Sequence, residues 1–180
     1  MKPTFGPELQ ALLEQKRALP PLHKVRRNRR LKNKGSLAAK AFAIAEQKVG
    51  MKETGPNDVF FSRWYGMPGE PWCCMFVTYC YVEAGATKSF KQGERWSYCW
   101  DVSTAAHAGR NHLAYTNDPQ RGDVVVFHAP GFPKGHIGLF DEWIDRAAGR
   151  FKTIEGNSAD MVARREQSKR DVRAFVRVGA

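Results

Sequence analysis

The sequence predicts an α+β fold in which N-terminal helices pack on an antiparallel β-sheet. Before residue 110, apolar residues recur at helical spacing, whereas after Arg121-Gly122-Asp123 they form short β-branched and aromatic runs separated by Gly and Pro. Helices that precede a group of strands, instead of alternating with them, are typical of α+β domains.

The first two helices are predicted from their composition and ends. The Ser36 hydroxyl is a suitable N-cap for a helix over 37–49, and Gly50 is a suitable stop. The alanine-rich sequence of this helix favours close packing on a neighbour. The aromatic segment 59–66 predicts one or two further helical turns.

A third helix is predicted to begin at or near Cys73 and to stop at Gly85. One of its faces carries apolar or small residues, namely Phe76, Val77, Cys80, Tyr81 and Ala84. A thiol in the first turn lies at the positive end of the helix dipole, which favours the thiolate. We therefore expect a lowered pKa for Cys73.

The remaining elements are predicted from turn residues and from a change in the spacing of apolar residues, from helical to strand-like. Residues 87–120 are predicted to be mostly irregular around one helix near 99–109, with Asp101 or Ser103 as its cap. Four strands are then predicted, and residues 129–135 form a hairpin loop between the first two of them. The strands cover residues 124–128, 136–143, 151–157 and 172–178.

Composition limits the class of protein. A chain of 180 residues with 42% hydrophobic residues suits one globular domain, and no apolar run approaches the ~18 residues of a membrane span. The N-terminus carries no apolar signal core, so we expect no signal peptide. Four cysteines, two of them adjacent, indicate reduced thiols in a protein made in the cytoplasm.

The excess of positive over negative charge lies mostly in an N-terminal segment. Residues 1–40 hold 11 Lys and Arg against 2 acids, whereas residues 41–180 hold 18 against 16. We divide the chain into a basic leader, residues 1–35, and a folded domain, residues 36–180. The leader is either a solvated linker or an arm that attracts an anionic wall polymer or lipid headgroups. It lacks interleaved aromatic residues, so specific nucleic-acid binding is not expected.

The candidate chemistry is that of a cysteine hydrolase, which needs a thiolate, an imidazole and a polar group that orients the imidazole. Cys73 is the candidate nucleophile. His136 begins a predicted strand, and Glu155 and Asn157 stand at the end of the next one. If these two strands are neighbours, His136 and Glu155 or Asn157 approach each other at one end of the sheet.

Four sequence blocks, in order, resemble the CHAP domain, the cysteine, histidine-dependent amidohydrolases/peptidases of bacterial cell-wall enzymes and phage endolysins. The resemblance covers roughly residues 37–178. The blocks are Pro71-Trp72-Cys73 with Phe76-Val77, Gly122-Asp123-Val124-Val125-Val126-Phe127, Gly135-His136-Ile137-Gly138 and Thr153-Ile154-Glu155-Gly156-Asn157.

The resemblance implies a papain-like CHAP fold and a role for each matching residue. Cys73 would be the nucleophile and His136 the general base and later the general acid. Glu155 would orient the imidazole, with Asn157 as a nearby amide. The substrate would be an amide of peptidoglycan, either the N-acetylmuramoyl–L-alanine bond or a bond in the stem or cross-bridge peptide. Trp72, beside the nucleophile, is expected to shape the substrate groove.

Some residues depart from the pattern of this family or are expected to be structural. Cys74 is expected to be a small buried residue, because it points ~100° away from Cys73 on a helix. Residues 65–70 carry one carboxylate where several CHAP enzymes have a calcium loop, so calcium is poorly supported and no cofactor is expected. Cys80 and Cys99 are expected in or near the core, and His128 at the surface.

The resemblance and the absence of an apolar signal core predict a phage endolysin. It would be made in the host cytoplasm, reach the wall through a separate membrane pore and act as a monomer. Three alternatives stay open: a virion-associated lysin, a secreted lysin, and an inactive CHAP-like module that binds the wall or serves a structural role. The NlpC-type cell-wall peptidases match less well, because the residues around their cysteine differ from those around Cys73.

Overall fold

The computed structural model describes residues 35–128 and 135–179. The predicted basic leader lies outside this part except for Gly35, and so does the predicted hairpin loop except for its last residue, Gly135. Within the described residues, no helix is long and apolar enough to cross a membrane.

The described residues form four α-helices, all of them predicted in place and type: α1 (Leu37–Glu46), α2 (Phe60–Tyr65), α3 (Cys73–Ala84) and α4 (Cys99–His107). Ser36 caps α1 as predicted, since its Oγ accepts a hydrogen bond from the Ala39 amide at 3.2 Å. Helix α3 ends at Gly85, whose φ of 99° is readily adopted by glycine.

The predicted cap of α4 is wrong. Tyr98 is the N-cap residue and makes no side-chain capping bond. Ser103 instead donates to the carbonyl of Trp100 within the helix, at 2.7 Å. A serine inside a helix readily bonds to the preceding turn, and this competes with a capping role.

A six-stranded antiparallel sheet follows in the described residues, with the strand order β1-β6-β2-β3-β4-β5. The four predicted strands correspond to β2, β3, β4 and β6. The strands are β1 (Leu113–Thr116), β2 (Val124–Phe127), β3 (His136–Asp145), β4 (Arg150–Glu155), β5 (Ala163–Ser168) and β6 (Val172–Val178). The two edge strands, β1 and β5, are missing from the prediction. Both are largely exposed, so their sequences lack the apolar run that marks a buried strand.

The core explains why α3 is apolar almost all round. Eight of its twelve residues are buried, because α1 and α2 contact it on one side and β3 and β4 on the other. The hydroxyl of Tyr81 donates to the carbonyl of Gly122 at 2.6 Å, which ties the helix to the turn before β2. Helix α3 is therefore held on every side, and its first residue is fixed relative to the sheet.

The sheet is buried on both faces at its centre. In β2, Val124 and Val126 join the main core, while Val125 and Phe127 join a second apolar cluster. The other buried members of this second cluster are Phe140, Phe151 and Phe175. Burial on both faces accounts for the uninterrupted apolar sequence of β2, which does not alternate as a half-exposed strand would.

Candidate active site

Cys73 is the first residue of α3 and is 7% exposed. The residue before it, Trp72, makes no side-chain capping bond to the helix. Its indole N–H instead donates to Oε1 of Glu53 at 2.6 Å. The first-turn amides of α3 thus receive no cap from the N-cap side chain, and such amides are natural donors to an anion.

His136 begins β3, and its Nε2 lies 2.8 Å from Oε2 of Glu155 in β4. The pairing register of β3 and β4 explains why these two side chains meet. Glu155 pairs with Gly138, so His136 lies two residues away on the same face of the sheet. The Phe127 ring stacks on the imidazole with centroids 5.8 Å apart. Nε2 is therefore engaged by a carboxylate, which leaves Nδ1 as the nitrogen for a reacting partner.

The carboxylate of Glu155 is buried and fully hydrogen-bonded. Its second oxygen, Oε1, accepts from Oγ1 of Thr153 at 2.5 Å and from Nε2 of Gln167 at 2.7 Å. Burial tends to raise the pKa of this carboxyl, but the bonds from His136, Thr153 and Gln167 outweigh burial and lower the pKa. Glu155 is accordingly ionised and favours a proton on the imidazole.

Cys73 and His136 interact, and each affects the pKa of the other. The hydrogen bond with Cys99 and burial hold the pKa of the Cys73 thiol well above its ordinary value, and the interaction with His136 opposes this rise. Burial opposes a charge on His136, yet its interactions with Cys73 and Glu155 raise its pKa to about 10. The expectation that the helix start alone lowers the pKa of Cys73 is therefore wrong. A charged His136 therefore favours the Cys73 thiolate, against the opposing effects of Cys99 and of burial.

Residues 64–157, just over half of the chain, match the sequence model of the CHAP domain. The chain belongs to the CHAP domain family. No curated protein matches it.

Several solved structures resemble the chain at low identity. The endolysin LysIME-EF1 is 18% identical with a TM-score of 0.49, over 78% of this chain and 63% of that one. The peptidoglycan hydrolase RipB from Mycobacterium tuberculosis is 14% identical with a TM-score of 0.46, over the same shares. Ly7917 is 16% identical with a TM-score of 0.46, over 77% and 61%. The chain thus spans less than two thirds of the length of each.

The CHAP domain of this chain brings together three of the residues predicted for its site, namely Cys73, His136 and Glu155. Asn157, the fourth, follows Glu155 with a left-handed φ of 55°. Its amide donates to Oδ1 of Asn57 at 3.3 Å, a partner outside the predicted set. Asn157 therefore joins the loop before α2 to the end of β4.

Trp72 does not have the place that the sequence predicted. It is fully buried and stacks on Phe61 with ring centroids 5.6 Å apart. With no exposed surface it does not form a groove wall for substrate. Its contribution is to the packing under Cys73, and its bond to Glu53 fixes that packing. The backbone amide of Asn57 donates to the same carboxylate at 2.7 Å.

Cys99 is the main residue that the sequence analysis missed. It is buried in the core, as predicted, but its Sγ lies only 3.5 Å from that of Cys73. Cys99 is the first residue of α4, as Cys73 is of α3. This shared position at a helix start is the one signal that could have drawn attention to it. Cys74 and Cys80 are both buried, as predicted, and His128 is exposed, also as predicted.

Two other missed residues, Thr153 and Gln167, support Glu155. Thr153 could have been found, because it stands two residues before Glu155 on the same face of one strand. Gln167 could not, because only the pairing of β4 with β5 brings it near. Among the described residues, no group of three or more His, Cys, Asp or Glu is placed to hold a metal ion.

Proposed function

We propose that the chain is a peptidoglycan hydrolase that cleaves an amide bond with Cys73 as its nucleophile. The observation that carries this proposal is the contact of His136 with the buried Glu155 at 2.8 Å, beside a cysteine at the start of a helix. The family supports the proposal, since CHAP domains are named for cysteine- and histidine-dependent amide hydrolysis.

In the proposed reaction His136 takes the proton of Cys73, and the thiolate attacks the amide carbonyl carbon. Glu155 stabilises the imidazolium that forms, because its carboxylate is ionised and already bonded to Nε2. The imidazolium then protonates the leaving amine, and an acyl-enzyme remains. His136 next removes a proton from water, which attacks the thioester and releases the acid.

The oxyanion of each tetrahedral intermediate would accept hydrogen bonds from backbone amides at the start of α3, including that of Cys73. The lack of a side-chain cap on this helix supports the assignment, since Trp72 is turned to Glu53 instead. Loss of one such donor typically costs about 10²–10³ in rate.

The bond cleaved is either the N-acetylmuramoyl–L-alanine amide or an amide of the stem or cross-bridge peptide. LysIME-EF1 is named an endolysin and RipB a peptidoglycan hydrolase, and we extend the latter activity to this chain. We further propose a phage endolysin that accumulates in the host cytoplasm, needs no cofactor, acts as a monomer and reaches the wall when the membrane is breached. A virion-associated or secreted lysin would use the same site.

The decisive test is the clearing of purified peptidoglycan by the Cys73→Ala variant. We expect activity to be lost while the circular dichroism spectrum and melting temperature stay close to those of the wild type. Cys74→Ala is the matched control and should keep activity. Clearing by Cys73→Ala would refute the nucleophile assignment, and an inactive wild type would favour the wall-binding module. Mass spectrometry of the released fragments identifies the bond.

A further inference from the structure

Cys73 and Cys99 form a pair of buried thiols at the start of two different helices. Their sulfur atoms are 3.5 Å apart, and both thiols are free. Cys73 is 7% exposed and Cys99 1%, so the pair opens to solvent on the side of Cys73. The proposed hydrolysis uses only one of the two sulfurs, which leaves Cys99 without a role in it.

We propose that Cys73 and Cys99 form a reversible disulfide when the protein meets a peroxide, and that this bond blocks the nucleophile. The blocking rests on the proposed function, whereas the bond itself does not. The thiolate of Cys73 is the entry point, because Cys73 is the more exposed of the two residues and His136 interacts with its thiol.

The geometry favours this bond over other pairings. A disulfide has a sulfur–sulfur distance of about 2.05 Å, so the two sulfurs, now 3.5 Å apart, have to approach by about 1.5 Å. Cys74 also interacts with Cys99 and is the competing partner. Cys74 is 1% exposed, however, and it is not beside His136 in the way that Cys73 is.

The chemistry balances with the peroxide as the oxidant. The Cys73 thiolate attacks one peroxide oxygen, the O–O bond breaks, and the hydroxide that leaves takes the proton held by His136. Cys73 is now a sulfenic acid. The sulfur of Cys99 attacks it, the S–O bond breaks, and the oxygen leaves as water with the proton of Cys99. In sum, two thiols and one peroxide give one disulfide and two waters.

A nearby resolving thiol would protect the enzyme from permanent damage. A sulfenic acid without such a partner is oxidised further by peroxide to a sulfinic acid, which thiol reagents do not reverse. With Cys99 at 3.5 Å, disulfide formation competes with that second oxidation. The protein would then regain its nucleophile in a reducing environment.

The test treats the full chain with hydrogen peroxide and measures free thiols, mass and clearing of peptidoglycan. We expect the four thiols to fall to two, the mass to fall by about 2 Da, and activity to return with dithiothreitol. Trypsin leaves Cys73, Cys74 and Cys80 on one fragment, residues 64–88, because no Lys or Arg separates them. Tandem mass spectrometry of the wild-type fragment linked to 96–110 therefore has to distinguish Cys73 from Cys74, and a Cys74→Ala/Cys80→Ala variant, in which Cys73 is the only remaining partner, should form the link as readily as the wild type.

Cys99→Ala and Cys99→Ser are the variants that remove the resolving thiol, and circular dichroism selects the one that folds. In it, peroxide should add about 32 Da at Cys73 as a sulfinic acid, and dithiothreitol should not restore activity. Recovery equal to that of the wild type would overturn the proposal, as would four remaining thiols or a Cys74–Cys99 link in the wild type. A cross-link in a protein that never clears peptidoglycan would overturn the proposed function alone.

Discussion

Glu155 carries a buried negative charge in the site, and three neighbouring side chains stabilise that charge. It is 1% exposed, and its carboxylate accepts from Thr153, His136 and Gln167. A buried carboxylate with this many partners stays ionised, and its negative charge raises the pKa of the neighbouring imidazole. Removing the charge should therefore lower the pKa of His136, and the rate of hydrolysis should fall as a consequence.

Glu155→Gln keeps the size of the side chain but removes its charge. We expect the pKa of His136 to fall below about 10, because the imidazolium loses its carboxylate partner and keeps only the interaction with Cys73. The rate of peptidoglycan hydrolysis should fall by about 10²-fold. NMR titration of the imidazole measures the pKa. Glu142→Gln, at an exposed carboxylate paired with Lys152, is the control and should leave both quantities unchanged. An unshifted pKa in Glu155→Gln would contradict the assigned role.

The same variant tests the contribution of Glu155 to acid stability. The folded-state pKa of Glu155 lies below the ordinary 4.5, so its charge stabilises the fold above that pH. This contribution is lost as the pH falls through the folded pKa. At pH 6 we expect Glu155→Gln to be less stable than the wild type by about 1.5–3 kcal/mol, the contribution of hydrogen bonds to a charged group. Urea unfolding at pH 6 and pH 3 should show the difference narrowing on acidification; a constant difference would contradict it.

At the scale of elements, the site depends on how closely β3 and β4 approach. Gly138 pairs with Glu155, and a Cβ at Gly138 would lie 2.6 Å from Cγ of Glu155. Gly156 meets α3 in the same way, since its Cβ would lie 2.5 Å from that of Phe76. These two glycines let the end of β4 fit between its neighbouring strand and the nucleophile helix.

Gly138→Ala should displace the carboxylate from His136. Overpacking at a tight contact costs about 1–3 kcal/mol of stability. We expect activity to fall by about 10²-fold, because a shift of about 1 Å in a supporting group has an effect of that size. Thermal unfolding and peptidoglycan clearing are the measurements. Gly35→Ala is the control, since its Cβ would make an ordinary contact with Ala39 at 3.6 Å. Normal clearing by a folded Gly138→Ala would argue against a close fit.

For the whole molecule, the uneven distribution of charge leads us to expect different roles for the leader and for the rest of the chain. Residues 41–180 are nearly neutral, with 18 Lys and Arg against 16 acids, whereas the leader carries most of the excess. Among the residues that the structure describes, the core runs from Ala38 to Val178. We therefore expect the leader to affect attraction to an anionic wall polymer and to leave folding unchanged.

Deleting residues 2–34 should leave the stability of the domain unchanged within about 0.5 kcal/mol. Binding to purified wall at low salt should weaken, and the difference should vanish near 1 M salt, where the screening length is about 3 Å. Sedimentation of the protein with wall fragments measures this binding. A full-length variant with Arg26, Arg27, Arg29 and Arg30 changed to Gln separates charge from length. If the deletion binds like the wild type at low salt, the leader is a linker.

The sequence predicted the helices and the four central strands because burial leaves a pattern in it. The buried face of α3, the Gly85 stop and the apolar sequence of β2 are local features that can be recognised without a neighbour. The edge strands β1 and β5 were missed because they are mostly exposed, and exposed strands carry no such pattern. Cys73, His136 and Glu155 were found because each belongs to a block of the CHAP family.

The sequence by itself determined the order of the elements, the family and the candidate nucleophile. Only the tertiary structure decided which groups surround that nucleophile. It brought the sulfur of Cys99 to 3.5 Å from that of Cys73, placed Gln167 on Glu155 and buried Trp72 completely. These contacts join residues that are far apart in the chain. They depend on strand register and helix packing, and neither can be deduced from the spacing of residues within one segment.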